Sequence, residues 1–198
     1  MNEPENFTVA SPTRHELRVK RSLFIGSLSA AKGQSAIEDQ LNAIRREFYD
    51  ATHNCFAYRI DKNTFRYSDD GEPSGTAGKP ILSMLEKYEL LQSLLVVTRY
   101  YGGVKLGTGG LLRAYSQCAE ETIQKGKIKE FVQYHYFKIH YPYNLTRQVH
   151  YILSKYNGAI ESSEFETDVR SEIKVADRNS RLLKAELMQS GAGQIKIL

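Results

Sequence analysis

Glycine is concentrated in one part of this 198-residue chain, between Tyr67 and Tyr115. Eight of the fourteen glycines lie there: Gly71, Gly75, Gly78, Gly102, Gly103, Gly107, Gly109 and Gly110. Glycine is costly inside regular structure, so it accumulates where the backbone needs a positive φ or must approach another group closely. Basic residues are interleaved with these glycines, namely Lys79, Arg99, Lys105 and Arg113. The pattern predicts a surface that meets an anion.

Composition limits the class of protein. The chain is 41% hydrophobic and 25% charged, which is typical of a globular protein. No run approaches the roughly 20 apolar residues of a membrane span, and the polar N-terminal segment does not resemble a signal peptide. Two cysteines argue against a disulfide scaffold. These features predict a cytoplasmic protein with no membrane association. The net charge of +4 is too small to indicate nucleic acid by itself.

Residues 1–13 are predicted to be a flexible leader, and residues 14–130 a first domain. Its apolar pattern predicts paired strands within 15–30, a helix from Ser35, a hairpin of strands 55–60 and 64–68, and a buried strand over 94–100. Helices are predicted over 74–88 and 108–125, each beginning at a glycine-rich turn. Gly126 and the charged segment after it predict a domain boundary.

Residues 131–198 are predicted to form a second domain. The apolar pattern gives strands over 136–143, 159–166, 169–176 and 193–198, with helices over 145–156 and 178–189. The order strand, helix, strand, strand, helix, strand is that of a ferredoxin-like domain. The predicted fold class is therefore α+β, in two domains.

Nucleotide-binding motifs do not account for the glycines. A P-loop requires Gly-Lys-Ser/Thr, whereas Gly78 and Lys79 are followed by Pro80. The dinucleotide pattern fails because Leu112 occupies the position of its last glycine. No cofactor is therefore expected.

Helix N-termini offer a less demanding way to bind an anion, through unpaired N–H groups and the helix dipole. Tyr100 and Tyr101 follow Arg99, and aromatic rings beside arginine are typical of single-stranded nucleic-acid contacts. The alternative is that the glycines serve tight turns and close packing alone. The candidate nucleic-acid or anion-binding residues are Ser74, Gly75, Thr76, Lys79, Arg99, Tyr100, Tyr101, Lys105, Thr108, Gly109, Gly110 and Arg113.

Acidic residues near the first turn allow other chemistry. Asp69, Asp70 and Glu72 suggest a metal or acid–base site, but an Asp-Gly turn with solvated charges explains them equally, and no metal is expected. Ser74 lies outside the nucleophile-elbow pattern of hydrolases, so no catalytic residue is predicted. Asp70, Glu72 and His53 remain candidates for the lining of a small-molecule pocket.

Two segments, SDDGEPSGTAGKPIL and VVTRYYGGVKLGTGGLLRAY, preceded by HNCFAYRI, closely resemble the IMPACT/YigZ family. The resemblance covers roughly residues 15–125, and the second domain looks like that of the bacterial YigZ branch. It implies that the first domain has the two-layer α/β fold shared by the second domain of a ribosomal small-subunit protein and the fourth domain of elongation factor G. The second domain would resemble the fifth domain of that factor.

In its eukaryotic branch the family is associated with regulating translation under amino-acid stress. The resulting prediction is a non-enzymatic protein that binds RNA or the ribosome and modulates translation, with a translation-related protein as a possible further partner. The alternatives are an enzyme or sensor for a small phosphorylated or carboxylated metabolite, and a protein-interaction module.

Overall fold

The computed structural model describes residues 6–198, which divide into two compact units, one ending at Phe131 and the other beginning at Val132. The elements of the first unit are β1 (Phe7–Ser11), β2 (Thr13–Val19), β3 (Ser22–Ala30), α1 (Gly33–Glu47), β4 (His53–Arg59), β5 (Phe65–Ser68), α2 (Gly78–Lys87), β6 (Ser93–Tyr100), α3 (Thr108–Lys125) and β7 (Lys127–Glu130).

Five antiparallel strands form the main sheet of this unit, in the order β2-β3-β6-β4-β5. The central strand β6 is apolar on both faces because Leu94 to Val97 are all fully buried. Leu95 and Val97 pack in the core that contains α2 and α3. Leu94 and Val96 pack instead with Ile37 and other residues of α1. Since successive residues of a strand face opposite sides of a sheet, the helices cover both faces.

The two-layer arrangement that the family resemblance implied is therefore wrong for this unit, which has three layers. The physical reason lies in the continuous aliphatic run of β6, which requires apolar cover on both faces of the sheet. In an amphipathic strand alternate positions would be polar and one face could meet water. Here α1 supplies the second cover.

The flexible leader expected over 1–13 is also wrong within the described residues. Phe7–Ser11 forms β1, which pairs antiparallel with β7, and Val9 is buried in the core beneath α2 and α3. The charged segment after Gly126, which predicted a boundary, supplies β7. The part of the expected leader over residues 1–5 lies outside the described residues.

The second unit contains β8 (Tyr134–Tyr141), a short 3₁₀ turn (Tyr143–Leu145), α4 (Thr146–Lys155), β9 (Ala159–Phe165), β10 (Val169–Ala176), α5 (Asp177–Ser190) and β11 (Lys196–Ile197). Its antiparallel sheet has the order β11-β8-β10-β9. Alternate residues of β8 and β10 pack with apolar residues of α4 and α5 in a single core, so both helices lie on the same face of this sheet.

Both units combine helices with antiparallel sheets, which is the α+β class that the sequence predicts. Among residues 6–198, none of the helices is both long enough and apolar enough to cross a membrane.

Candidate functional site

The carboxylate of Asp69 organises the first glycine-rich turn. Its Oδ1 accepts hydrogen bonds from the N–H groups of Ala77 (3.0 Å) and Gly78 (2.8 Å), and its Oδ2 accepts one from Gly75 (2.9 Å). The N–H of Thr76 donates to the carbonyl oxygen of Pro73. The start of α2 is thus already occupied by an anion of the protein itself.

This arrangement corrects two expectations. The helix predicted from Ser74 begins at Gly78, because the preceding residues fold into the turn that Asp69 holds. The N–H groups of Gly75 and Thr76 cannot hold an external anion, because each has an acceptor within the chain. Ser74 is exposed at the outside of the turn.

Glu72, in the same turn, is buried and joins the two glycine-rich stretches. Its Oε1 accepts from Arg99 Nη1 at 2.5 Å and from the Tyr115 hydroxyl at 2.8 Å. Arg99 is the penultimate residue of β6, and Tyr115 lies on the third helix. The two stretches are therefore neighbours in the fold.

Arg99 is itself only 5% exposed. The expectation that it neutralises a phosphate is wrong, because its charge is balanced inside the protein by Glu72. The guanidinium carbon lies 5.5 Å from the ring centroid of Phe24 and 5.4 Å from that of Tyr101. Arg99 therefore supports the ring of Tyr101 from within, by a cation–π contact.

A buried cluster of weakly acidic groups lies behind Glu72. The thiol of Cys55 is within hydrogen-bonding distance of the Asp69 carbonyl oxygen (3.0 Å) and the Tyr115 hydroxyl (3.3 Å). Burial raises the pKa of Cys55 to about 12. The pKa of Tyr115 is also raised. Burial is the largest cause, and the contact with Cys55 is the next largest. Both groups therefore keep their protons and can donate hydrogen bonds to their neighbours.

His53 occupies the edge of this cluster, with its side chain partly exposed. Its Nδ1 lies 2.7 Å from the carbonyl oxygen of Asp70, which can only accept, so Nδ1 carries a proton. In the neutral ring Nε2 is therefore an acceptor, 3.9 Å from Glu72 Oε2. The Asp70 carboxylate accepts from the N–H of Asn54 at 2.6 Å.

The second glycine-rich turn, after β6, is anchored at its start. The N–H of Tyr101 donates to Thr52 Oγ1 (3.0 Å), and that of Gly102 donates to Ser22 Oγ (3.3 Å). A Cβ atom on Gly102 would lie 1.9 Å from the backbone oxygen of Arg21, so this position accepts only glycine. The ring of Tyr101 is 45% exposed at this anchored point.

Unlike the start of α2, the start of α3 is open. It follows Gly107, whose φ is +72°, and has neither a capping side chain nor an acidic residue in its first turn. The N–H groups of Thr108, Gly109 and Gly110 have no hydrogen-bond acceptor among the residues that the structure describes. Lys105 and Arg113 flank this turn in sequence and are exposed.

Neither Lys105 nor Arg113 forms an ion pair within residues 6–198, and the same holds for the exposed Lys79 at the start of α2. Tyr100 is engaged by a hydrogen bond from its hydroxyl to Asp50 (2.8 Å), which raises its pKa. The open site is therefore the start of α3, with Lys105 before it and Arg113 after it in sequence, and Tyr101 lies at the anchored beginning of the same turn.

Asp69, Cys55 and Tyr115 were not among the predicted site residues. Ordinary N-cap signals are sought in the residue directly before a helix, whereas Asp69 caps α2 from nine positions upstream of Gly78. Across the described part of the chain, no group of three or more His, Cys, Asp or Glu side chains is placed to hold a metal ion.

Comparison with known proteins gives one family. The family model described as the Impact N-terminal domain matches residues 20–123, which include the whole network around Glu72. A Haemophilus influenzae protein named IMPACT family member is 33% identical over 186 residues, covering 92% of this chain and 90% of that protein. Escherichia coli YigZ, also named an IMPACT family member, is 29% identical and covers 96% and 95% of the two chains.

Other matches differ in extent. Bacillus subtilis YvyE is 44% identical over 117 residues, and the match spans 58% of this chain and about half (54%) of that relative. A crystal structure of a hypothetical protein superimposes with a TM-score of 0.69 at 28% identity, covering 98% of this chain and 96% of that one. The matched domain and the near full-length relatives together show that this chain belongs to the IMPACT family.

Proposed function

We propose that this protein binds RNA, free or within the ribosome, and modulates translation in the cytoplasm without acting as an enzyme. The observation that carries the proposal is the open start of α3. Its N–H groups are unpaired within the described residues, and unpaired basic side chains flank it. By contrast, the start of α2 is closed by Asp69.

Lys105 and Arg113 would contact phosphates, because both are exposed and neither is neutralised by a described acidic residue. The N–H groups of Thr108, Gly109 and Gly110 add donors directed outward along the helix axis, where the helix dipole favours an anion. Gly109 and Gly110 keep this turn free of bulky side chains, so that a phosphate can approach the backbone. Lys79 would extend the basic surface.

Tyr101 would stack on a base. Its exposed ring is held on one side by the buried guanidinium of Arg99, and its backbone is fixed to Thr52. A ring that is already positioned loses little conformational freedom when a base stacks on it, and base–aromatic stacking contributes about 1–3 kcal/mol.

The expected likeness of the second unit to the fifth domain of elongation factor G agrees with this proposal, as does the translational role associated with the eukaryotic branch. A likeness of folds is weaker support than the site itself.

A salt titration of labelled single-stranded RNA tests the proposal. On a single strand each phosphate contact contributes about −0.7 to the slope of log affinity against log salt, so Lys105→Glu/Arg113→Glu is expected to weaken binding and reduce the slope by roughly 1.4. The matched control is Arg45→Glu/Arg46→Glu. It makes the same charge change on exposed residues of α1, across the sheet from α3. Equal losses in both variants, or binding that does not depend on salt, would refute the site.

One observation favours a second function, the binding of a small phosphorylated or carboxylated metabolite. His53 presents Nε2 at a partly exposed position beside Glu72, and Asp70 fixes the ring by its carbonyl oxygen. A thermal-shift screen with nucleotides and organic acids tests it, since a ligand at 100 times its Kd stabilises by about 2.7 kcal/mol. A hit that His53→Ala removes, in a protein without RNA affinity, would favour the metabolite.

A further inference from the structure

We propose that the open face of the sheet in the second unit is a separate binding surface for single-stranded RNA, on which Tyr134 and Tyr136 each stack one base. The ligand class rests on the proposed function above. The surface itself belongs to another unit and shares no residue with the turn at the start of α3.

The alternation of β8 defines this face. Phe137, Ile139 and Tyr141 are buried in the core with α4 and α5. The residues between them on the strand therefore point away from the helices. Within the unit that contains it, no helix covers this second face. The outward residues of β8 are Tyr134, Tyr136, Lys138 and His140.

The two tyrosines are the aromatic part of the surface. Tyr134 is 47% exposed and Tyr136 is 51% exposed. The ammonium group of Lys174, on the neighbouring strand β10, lies 4.8 Å from the ring centroid of Tyr134 and 5.9 Å from that of Tyr136. Lys174 is in turn held by Glu161 at 3.2 Å. One lysine thus supports two neighbouring rings, and their outer surfaces remain accessible.

Charge on the face is divided between its two sides. Strands β8 and β11 contain no acidic residue, and Lys196 on β11 is opposite His140 of β8. Lys138 and Lys196 form no ion pair within the described residues. The acidic residues belong to β9, β10 and the turn that joins them: Glu161, Glu164, Glu166, Asp168 and Glu172. Asp168 lies 3.2 Å from His140, and Glu172 is the cross-strand neighbour of Lys138, so the face is most basic at its β11 edge. A polyanion is therefore expected to follow β8 and β11.

The chemistry of the face favours RNA over an apolar protein surface. Apart from the two tyrosine rings, the outward positions of β8 and β10 are Lys138, His140, Arg170, Glu172, Lys174 and the small Ala176, without one large aliphatic residue. A protein interface buries an apolar centre depleted of charge. A four-stranded sheet that offers aromatic rings and basic side chains is instead a known means of stacking unpaired bases.

The test uses the full-length chain and a labelled oligouridine of about ten nucleotides, within the usual range of single-strand site sizes. Binding is measured by fluorescence anisotropy in the Lys105→Glu/Arg113→Glu background, so that the first-unit surface contributes little. Tyr134→Ala/Tyr136→Ala is expected to weaken this binding by at least about 25-fold, or about 5-fold for each ring at the lower limit of stacking. Tyr134→Phe/Tyr136→Phe keeps the rings and is expected to restore it.

The matched control is Tyr151→Ala, which removes an exposed tyrosine from α4 in the helix layer and should leave affinity unchanged. Photocrosslinking of 5-bromouridine RNA to the wild-type chain gives an independent readout, and crosslinks on the β8 peptide are expected. Unchanged affinity in the double alanine variant, or crosslinks confined to residues 99–113, would overturn this inference and leave the first site intact. If Tyr134→Ala/Tyr136→Ala loses RNA affinity but Lys105→Glu/Arg113→Glu does not change it, only the first site is refuted.

Discussion

Arg99 donates to Glu72 across 2.5 Å, and both side chains are more than nine-tenths buried. A buried ion pair is costly to break from one side, because the remaining charge loses its partner in a medium that solvates it poorly. This pair also joins the two glycine-rich stretches, so its loss should affect both of them.

Removing the acid of this pair, by Glu72→Ala, is expected to lower the free energy of unfolding by about 3–5 kcal/mol. Urea denaturation measures it. The control is Glu47→Ala, which breaks the exposed Arg14–Glu47 pair. That substitution should change the midpoint little, because solvent screens exposed charges. Similar midpoint shifts for the two variants would contradict a special role for the buried pair.

Removing the carboxylate that closes the start of α2, by Asp69→Ala, leaves three N–H groups without their acceptor. The expected cost is about 2 kcal/mol, at the upper end of the range for helix caps. Hydrogen exchange should accelerate at Gly75, Ala77 and Gly78. Asp39→Ala, at an exposed position of α1, is the control. Unchanged exchange at the three amides would show that Asp69 does not hold the turn.

Both cysteines should be unreactive in the folded protein. Burial raises the pKa of Cys55 and of Cys118 from 9.0 to about 12, and only a thiolate attacks an alkylating reagent. We expect no labelling by iodoacetamide near neutral pH in buffer and labelling of both thiols in denaturant. Rapid labelling of the native protein would contradict the burial of these groups.

The same shifts give a direction to the pH dependence of stability. A raised folded-state pKa means that the unfolded chain releases its thiol protons first, from about pH 9. This contribution to stability is complete below pH 9 and is lost as the pH rises toward 12. Urea midpoints over this interval should fall less steeply in Cys55→Ala/Cys118→Ala than in the wild type. Parallel curves would contradict the linkage.

Neighbouring glycines after β6 should differ in their tolerance of alanine. Gly102→Ala places a Cβ on the Arg21 carbonyl oxygen, whereas Gly103 has open space around it and a φ of +81°. Gly103→Ala should cost about 1–2 kcal/mol, the strain of a left-handed backbone, and Gly102→Ala should cost more. Denaturant midpoints measure both. A milder effect at Gly102 would show that the turn can move away from Arg21.

Local pattern predicted most of the regular structure. The helix expected over 108–125 is observed as Thr108–Lys125, and the strand expected over 94–100 as Ser93–Tyr100. In each segment the spacing of the apolar residues fits only one type of regular structure, a helix over 108–125 and a buried strand over 94–100. The order of helices and strands expected after residue 131 is also observed.

The errors concern partners distant in sequence. The helix expected at Ser74 begins at Gly78, because Asp69 holds the intervening turn. Arg99 appeared to be a free cation, but its partner Glu72 lies 27 residues away. In each case the decisive contact depends on how the elements pack against each other. The spacing and periodicity of residues in the sequence do not predict that packing. The start of α3 was predicted as an anion site from features that are adjacent in sequence, Gly107 to Gly110, and it stays a prediction.

The first strand of the first unit, β1, pairs with its last strand, β7, so the two ends of this unit meet. Synthesis produces β1 first and β7 last in this unit, so the nascent chain must carry an unpaired strand edge until Glu130 has left the ribosome. Unpaired edges of this kind are where a growing chain can associate with another. Any shortening of the N-terminus past Phe7 would leave β7 in the same exposed state permanently.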